Sequence, residues 1–182
     1  LIAAAEGAVG AMDNNVSPGG ALTSRVKFHI YDALVNFDYS TEDVPQLVPG
    51  LAEKWETGAD SLTWTFKLRS GVKFSDGSPM TSADVKFSID AASKTKGGWE
   101  FLNVAIDNVT APAPDTVVIT TKYPWAPLLA DLANFNNAIL PNNYGGKSHD
   151  DFYNAPIGTG PFKWDHWTKG SELKLVKNPL YW

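Results

Sequence analysis

The sequence predicts a mixed fold of helices and strands, of the α/β or α+β class. Residues 62–69 alternate apolar and polar side chains, which is typical of a strand with one buried face. Thr81 and Asp84 have the spacing of a capping box and therefore predict a helix that begins after Thr81. This helix has an apolar stripe at helical spacing, formed by Val85, Ile89 and Ala92. Strands and helices do not alternate regularly, so no array of βαβ units is expected.

The first part of the chain gives weaker signals. Residues 1–5 are small and apolar and predict a strand, and residues 6–20 form a loop rich in Gly, Asn and Pro. Residues 22–35 have apolar positions that suit a helix running into a short strand. Residues 39–49 are acidic and rich in turn formers, which suits a crossing between two lobes.

The second half contains clearer elements. Residues 72–74 form a short segment between two turns, and the β-branched run at 116–121 predicts a strand. Residues 127–134 predict a helix that begins at a proline-rich segment. Residues 136–146 are expected to form loop and turn, and residues 172–177 alternate as a further strand.

Composition excludes several classes of protein. A chain of 182 residues with 43% hydrophobic residues can bury a core in one or two domains. The net charge of -5 argues against a nucleic-acid partner, and no apolar run is long enough to predict a transmembrane segment. The absence of cysteine excludes disulfides, thiolate metal sites and cysteine nucleophiles. Seven Trp and nine Phe predict either dense core packing or the aromatic walls of a cleft.

No motif predicts an enzyme. Residues 158–160 read Gly-Thr-Gly but lack the Lys-Ser/Thr tail of a phosphate loop, so a tight turn between packed strands is expected. Residues 149–151 (His-Asp-Asp) could be a metal or acid–base cluster, but consecutive loop residues point in different directions, so a solvated loop is expected. The histidines lack zinc-site spacing and no G-x-S-x-G is present. We therefore expect no catalytic residue, no metal and no cofactor.

Four segments, in order, resemble the family 5 extracellular solute-binding proteins. They are residues 30–38 (IYDALVNFD), 51–90, 155–162 (APIGTGPF) and 177–182 (KNPLYW). Members of this family are the peptide, nickel-chelate and opine receptors of bacterial ABC importers. The resemblance implies a lobe of the class II periplasmic binding-protein fold with an inserted smaller α+β domain. It also implies a protein that captures a small solute, most simply a dipeptide or oligopeptide, by hinge closure and delivers it to a membrane permease.

The resemblance also implies a domain division and a location. Residues 1–38 would begin the first lobe, residues 39–154 would form the smaller domain, and residues 155–182 would return to the first lobe. Family members are more than twice this length, so the second lobe would be missing and this piece alone is expected to bind ligand weakly or not at all. The expected location is periplasmic or extracellular, either free or lipid-anchored at the outer face of the membrane. No leader is visible, so an exported chain would already have lost it.

The first group of ligand-binding residues is implied by the resemblance. In family members the end of the first helix and the strand after it line the cleft, and peptide-binding relatives use this strand edge to edge with the peptide backbone. For Tyr31, simple packing is an equally good explanation. The positions that match in this sequence are Thr23, Ser24, Tyr31, Asp32 and Ala33.

The second group lies further along the chain. Lys96 and Trp99 match a spacing at which nickel-chelate relatives face the ligand, although a surface lysine and a tryptophan packed on its own helix explain them slightly better. The same relatives use an arginine where this chain has residues 134–137 (NFNN). The lack of an arginine there favours peptides, opines or sugars as ligands over a doubly anionic metal chelate. Phe135 and Asn136 could still offer a stacking face and an amide.

A second hypothesis is a stand-alone interaction or sensor domain that keeps the scaffold without ligand transport. A reading frame that continues beyond Trp182 with a second lobe would favour solute capture. A frame that ends there would favour the interaction domain.

Overall fold

The structure of the protein is a computed structural model, which describes residues 12–13, 20–40, 44–96 and 99–182. The strand predicted at 1–5 and almost all of the loop predicted at 6–20 lie outside these residues, as do the paired glycines 97–98. Within the described residues no helix has both the length and the apolar character needed to cross a membrane.

The described chain contains helices, strands and short 3₁₀ turns, which confirms the predicted mixed class. The four α-helices are α1 (Gly20–Ile30), α2 (Ser82–Lys94), α3 (Leu128–Leu132) and α4 (His149–Asn154). The strands are β1 (Val35–Asp38), β2 (Gln46–Pro49), β3 (Ala52–Thr57), β4 (Thr63–Leu68), β5 (Ile106–Ala113), β6 (Thr116–Thr121), β7 (Phe162–Thr168) and β8 (Glu172–Lys177). The 3₁₀ turns are Glu100–Asn103, Phe135–Asn137 and Asn142–Gly146.

The main sheet has four antiparallel strands in the order β3-β4-β6-β5. The strands predicted at 62–69 and 116–121 are its two central strands, β4 and β6. Alternation buries Phe66 and Leu68 on β4, and Val117 and Ile119 on β6. The hairpins β1-β2 and β7-β8 form two further two-stranded sheets.

Helix α2 begins at the predicted capping box. The Thr81 N–H donates to Asp84 Oδ2 at 2.6 Å, and the second Asp84 oxygen accepts the Asn142 N–H at 2.7 Å. The carboxylate therefore caps the helix and fixes the turn at residue 142 as well. The predicted stripe of Val85, Ile89 and Ala92 is buried.

Other predicted elements differ in extent. The helix predicted at 127–134 is the shorter α3, and the region 136–146 contains the end of one 3₁₀ turn and the whole of another. Residues 149–151 are exposed, as expected, but the expectation of a loop is wrong, because they begin α4. Ser148 caps this helix by accepting the Asp151 N–H at 3.2 Å, and the helix buries Phe152 and Tyr153.

Two hydrophobic clusters form the core. The larger lies between the main sheet and α2 and includes Leu34 and Val35 from the first segment of the chain. The second combines Met12, Ile30 and Tyr31 with Ala138, Leu140, Phe152 and Tyr153. Each cluster draws residues from both sides of the boundary predicted at 38/39, so the division into 1–38, 39–154 and 155–182 stays a prediction.

Candidate functional site

The segment after α1 is hydrogen-bonded to two later parts of the chain. The Asp32 carbonyl accepts the Ile139 N–H at 2.9 Å, and the Ala33 carbonyl accepts the Leu51 N–H at 2.9 Å. These two carbonyls are therefore bonded within the chain. The edge-to-edge contact with a ligand backbone stays a prediction, and it would need other main-chain groups of this segment.

The Asp32 side chain faces the return segment of the chain. Its Oδ2 atom accepts hydrogen bonds from Thr159 Oγ1 at 2.9 Å and from the Trp182 indole at 3.2 Å. Burial raises the pKa of this carboxyl, and the two hydrogen bonds act in the opposite direction. The Trp182 ring in turn lies 4.7 Å from the Arg69 guanidinium. Asp32 therefore joins the end of α1 to residues 159 and 182.

The glycines at 158 and 160 lie in a bend between α4 and β7 that packs on the end of α1, and not in the tight turn between packed strands that the sequence predicts. A Cβ atom at Gly158 would lie 2.1 Å from the Ile30 carbonyl oxygen, and one at Gly160 would lie 2.7 Å from the same atom. The Gly160 N–H donates to that oxygen at 2.8 Å. The bend thus packs directly on the end of α1.

Several predicted site residues lie inside the protein. Tyr31 is only 3% exposed, in the second hydrophobic cluster, and burial raises the pKa of its hydroxyl well above the usual range. That hydroxyl has no hydrogen-bond partner among the described residues. Thr23 and Ala33 are buried, whereas Ser24 is half-buried.

A row of aromatic rings brings two of the predicted residues together. Trp99 contacts the Phe135 ring edge-on, with centroids 4.8 Å apart, although the two residues lie far apart in the sequence. The Phe28 ring also contacts Phe135, with ring centroids 6.3 Å apart. The Phe101 ring contacts Trp99, with centroids 5.8 Å apart. We call Phe28, Phe135, Trp99 and Phe101 the aromatic ledge.

A buried lysine lies beside the ledge. Lys27 is 1% exposed, and its ammonium group donates to the Asp13 carbonyl at 2.6 Å and lies 5.5 Å from the centre of the Phe135 ring. Burial lowers the pKa of Lys27 to about 8, although the Asp13 carboxylate acts in the opposite direction. Lys27 is not among the site residues predicted from the sequence. Lys27 lies three residues before Ile30 and four before Tyr31, so it shares the apolar face of α1 with them. That helical spacing is the sequence signal from which its burial could have been predicted.

Asn136 and Asn137 are adjacent but differ in their bonding. Both are buried, yet neither amide atom of Asn136 has a hydrogen-bond partner among the described residues. Asn137 exchanges two hydrogen bonds of 2.9 Å with the Asn103 amide, which joins the two 3₁₀ turns that carry the ledge. The other predicted residue of this group, Lys96, is exposed.

His149 makes a contact that the sequence analysis did not foresee. Its Nε2 atom lies 2.8 Å from Asp13 Oδ2 and its Nδ1 atom 2.9 Å from Asp150 Oδ1. Hydrogen bonds with Asp150 and Asp13 raise the pKa of this histidine. Within the described ranges, no group of three or more His, Asp or Glu side chains could hold a metal ion.

The family is decided by comparison with known proteins. The model of the family described as bacterial extracellular solute-binding proteins, family 5, middle region, matches residues 46–182. The chain belongs to this family. A probable D,D-dipeptide-binding periplasmic protein of Escherichia coli is 33% identical to this family 5 chain over 162 residues, which cover 86% of the chain and 31% of the relative.

Solved structures of binding proteins share the fold of this family 5 chain. A protein of A. tumefaciens R10 in complex with mannopinic acid has a TM-score of 0.87 at 33% identity, covering 96% of this chain and 36% of that one. An ABC transporter-associated periplasmic binding protein of Helicobacter pylori in complex with the peptide STSA has a TM-score of 0.80 at 32% identity, covering 97% and 38%. The class II binding-protein fold is thereby confirmed, and this chain spans about a third of these relatives. Each of these three relatives is a binding protein according to its description.

Proposed function

We propose that this protein is the solute-binding component of an ABC importer and that it captures a small peptide-like solute. Membership of family 5 supports this role, as do the relatives described as binding a D,D-dipeptide and the peptide STSA. The proposed location is the periplasm or the outer face of the membrane, with or without a lipid anchor. The proposed partner is a membrane permease that receives the solute.

The aromatic ledge is the observation that supports this proposal most directly. Trp99 and Phe135 were predicted as ligand contacts from different parts of the sequence, and the structure brings their rings within 4.8 Å. Rigid aromatic rings provide apolar contact area at a low cost in conformational entropy. Asn136 follows Phe135 directly, and its amide, which has no hydrogen-bond partner among the described residues, matches the hydrogen-bonding groups of a peptide bond. Exposed Lys96, two residues beyond the end of α2, is the proposed partner for a ligand carboxylate.

The other predicted contacts divide by their position. Half-buried Ser24 is proposed to face the cleft, and main-chain groups near Tyr31 and Ala33 to run beside the ligand. Thr23 and Asp32 are proposed to support this surface from behind, since Thr23 is buried and Asp32 bonds to Thr159. Closure of a second lobe over the ledge would complete the pocket and signal the bound state to the permease.

Binding by the protein encoded by the complete reading frame tests this function. Isothermal titration against a panel of dipeptides is expected to show saturable binding to at least one of them. Trp99→Ala is expected to weaken that binding by about tenfold, because it removes the central ring of the ledge. Tyr39→Ala is the matched control, since Tyr39 is 72% exposed and lies outside the ledge.

The result also separates the two hypotheses. A complete frame that ends near residue 182, or no binding to any dipeptide, would contradict solute capture and favour an interaction domain. Equal weakening by Trp99→Ala and Tyr39→Ala would contradict the assignment of the site. Circular dichroism of both variants would establish that each is folded.

A further inference from the structure

The aromatic ledge contains two residues that nothing in the sequence marked. Phe28 is 56% exposed and Phe101 is 55% exposed, and they lie at opposite ends of the row formed with Phe135 and Trp99. Large apolar side chains that are exposed and contiguous typically mark a binding surface. Phe28 and Phe101 have no polar group, so the only interactions they offer are apolar and aromatic.

The ledge is fixed before any ligand arrives. Trp99 and Phe101 lie at the 3₁₀ turn Glu100–Asn103, and Phe135 lies on the turn Phe135–Asn137. The reciprocal amide pair between Asn103 and Asn137 fastens these two turns together, and a third bond runs from Asn137 to the Asp131 carbonyl at 2.9 Å. A surface held in this way loses little conformational entropy when a ligand binds.

The neighbouring charge bears on the kind of group that fits. The ammonium of Lys27 lies 5.5 Å from the centre of the Phe135 ring, so this ring already has a cation contact inside the protein. A ligand cation placed over Phe135 would be repelled by this buried charge. An uncharged group meets no such penalty and gains the full benefit of leaving water.

We propose that Phe28 and Phe101 extend the site into a specificity surface, on which the ledge receives an uncharged aromatic or large apolar side chain of the peptide-like ligand. The proposal rests on the proposed function and adds the class of side chain that is preferred. Asn103 and Asn137 act as positioning residues for this surface.

Four dipeptides provide the test on the protein from the complete reading frame. Ala-Phe and Phe-Ala each present one aromatic side chain, at the second and first position respectively. Ala-Ala presents only methyl side chains, and Ala-Lys presents a cationic side chain. We expect titration calorimetry to give at least tenfold tighter binding for one of the phenylalanine dipeptides than for Ala-Ala. Phe28→Ala and Phe101→Ala are each expected to weaken binding of that phenylalanine dipeptide at least fivefold. The ratio of its affinity to the affinity for Ala-Ala should therefore move towards one.

Controls separate this inference from the function it rests on. Tyr39→Ala, an exposed aromatic outside the ledge, is expected to leave all four affinities within twofold. Equal affinities for Ala-Ala and the phenylalanine dipeptides, or tighter binding of Ala-Lys, would overturn the ledge proposal and leave solute capture intact. Failure of all four dipeptides to bind, while the folded protein still binds another dipeptide of the wider panel, would overturn the ledge proposal alone. Failure of the whole panel would overturn both.

Discussion

The main sheet and the aromatic ledge use the same type of side chain in opposite ways. Phe66 and Phe74 are at most 1% exposed and pack between the sheet and α2. On the ledge, by contrast, Phe28 and Phe101 are each more than half exposed. The residue type is the same in both regions, so the difference in exposure comes from where the fold places each ring.

The buried polar groups of the two regions also differ, in how well they are hydrogen-bonded. Beside the sheet, Ser88 Oγ donates to the Asp84 carbonyl at 2.7 Å and accepts the Leu140 N–H at 2.8 Å. Beside the ledge, the Lys27 ammonium is buried and the Asn136 amide lacks partners among the described residues. Buried polar groups without partners cost free energy of folding. The Asn136 amide beside the ledge therefore costs folding free energy that the bonded Ser88 hydroxyl beside the sheet does not.

The largest expected effect tests the phenylalanines of the two regions against each other. Phe66→Ala is expected to lower the free energy of unfolding by about 3 to 5 kcal/mol, because it opens a cavity in a fully buried site. Phe101→Ala is expected to lower it by less than about 1 kcal/mol, because the ring is mostly in water already. Urea unfolding followed by circular dichroism measures both. Similar losses for the two variants would contradict the contrast drawn between the regions.

The sequence predicts the first region far better than the second. The alternation at 62–69, the capping box at Thr81 and Asp84, and the stripe after them are local patterns, and each is confirmed. Strands β2, β3, β5 and β7 were not predicted, and the last three pair with register shifts. Such irregular pairing is set by contacts between strands that the sequence pattern does not report.

The ledge is predictable only in pieces. Trp99, Phe135 and Asn136 were proposed as ligand contacts through family resemblance, and that role stays a prediction. Their assembly with Phe28, Phe101 and Lys27 depends on three segments distant in the chain that meet through tertiary packing. No period or motif in the sequence reports such a meeting.

A smaller effect is expected from the two adjacent asparagines, which provide a matched pair. Asn137→Leu is expected to cost about 2 to 3 kcal/mol of unfolding free energy, because it leaves the buried Asn103 amide without its partner. Asn136→Leu is expected to be neutral or stabilising, because its amide has no partner to lose among the described residues. Urea unfolding of the two variants side by side is the measurement. Comparable destabilisation would show that Asn136 is as well bonded as its neighbour.

The smallest effect concerns the lysine beside the ledge. Burial lowers the pKa of Lys27 from 10.5 to about 8 in the folded chain. Above that pH the unfolded chain binds a proton that the folded chain has released, so stability is expected to rise with pH, by up to about 2 kcal/mol near pH 9.5. Unfolding in urea between about pH 7.5 and 9.5, where tyrosines of ordinary pKa stay mostly protonated, measures this rise. Lys27→Met should remove it, whereas Lys67→Met, at a partly exposed lysine paired with Asp115, should retain it. A rise that persists in Lys27→Met would mean that another group is responsible and that the cation beneath the ledge does not reduce stability.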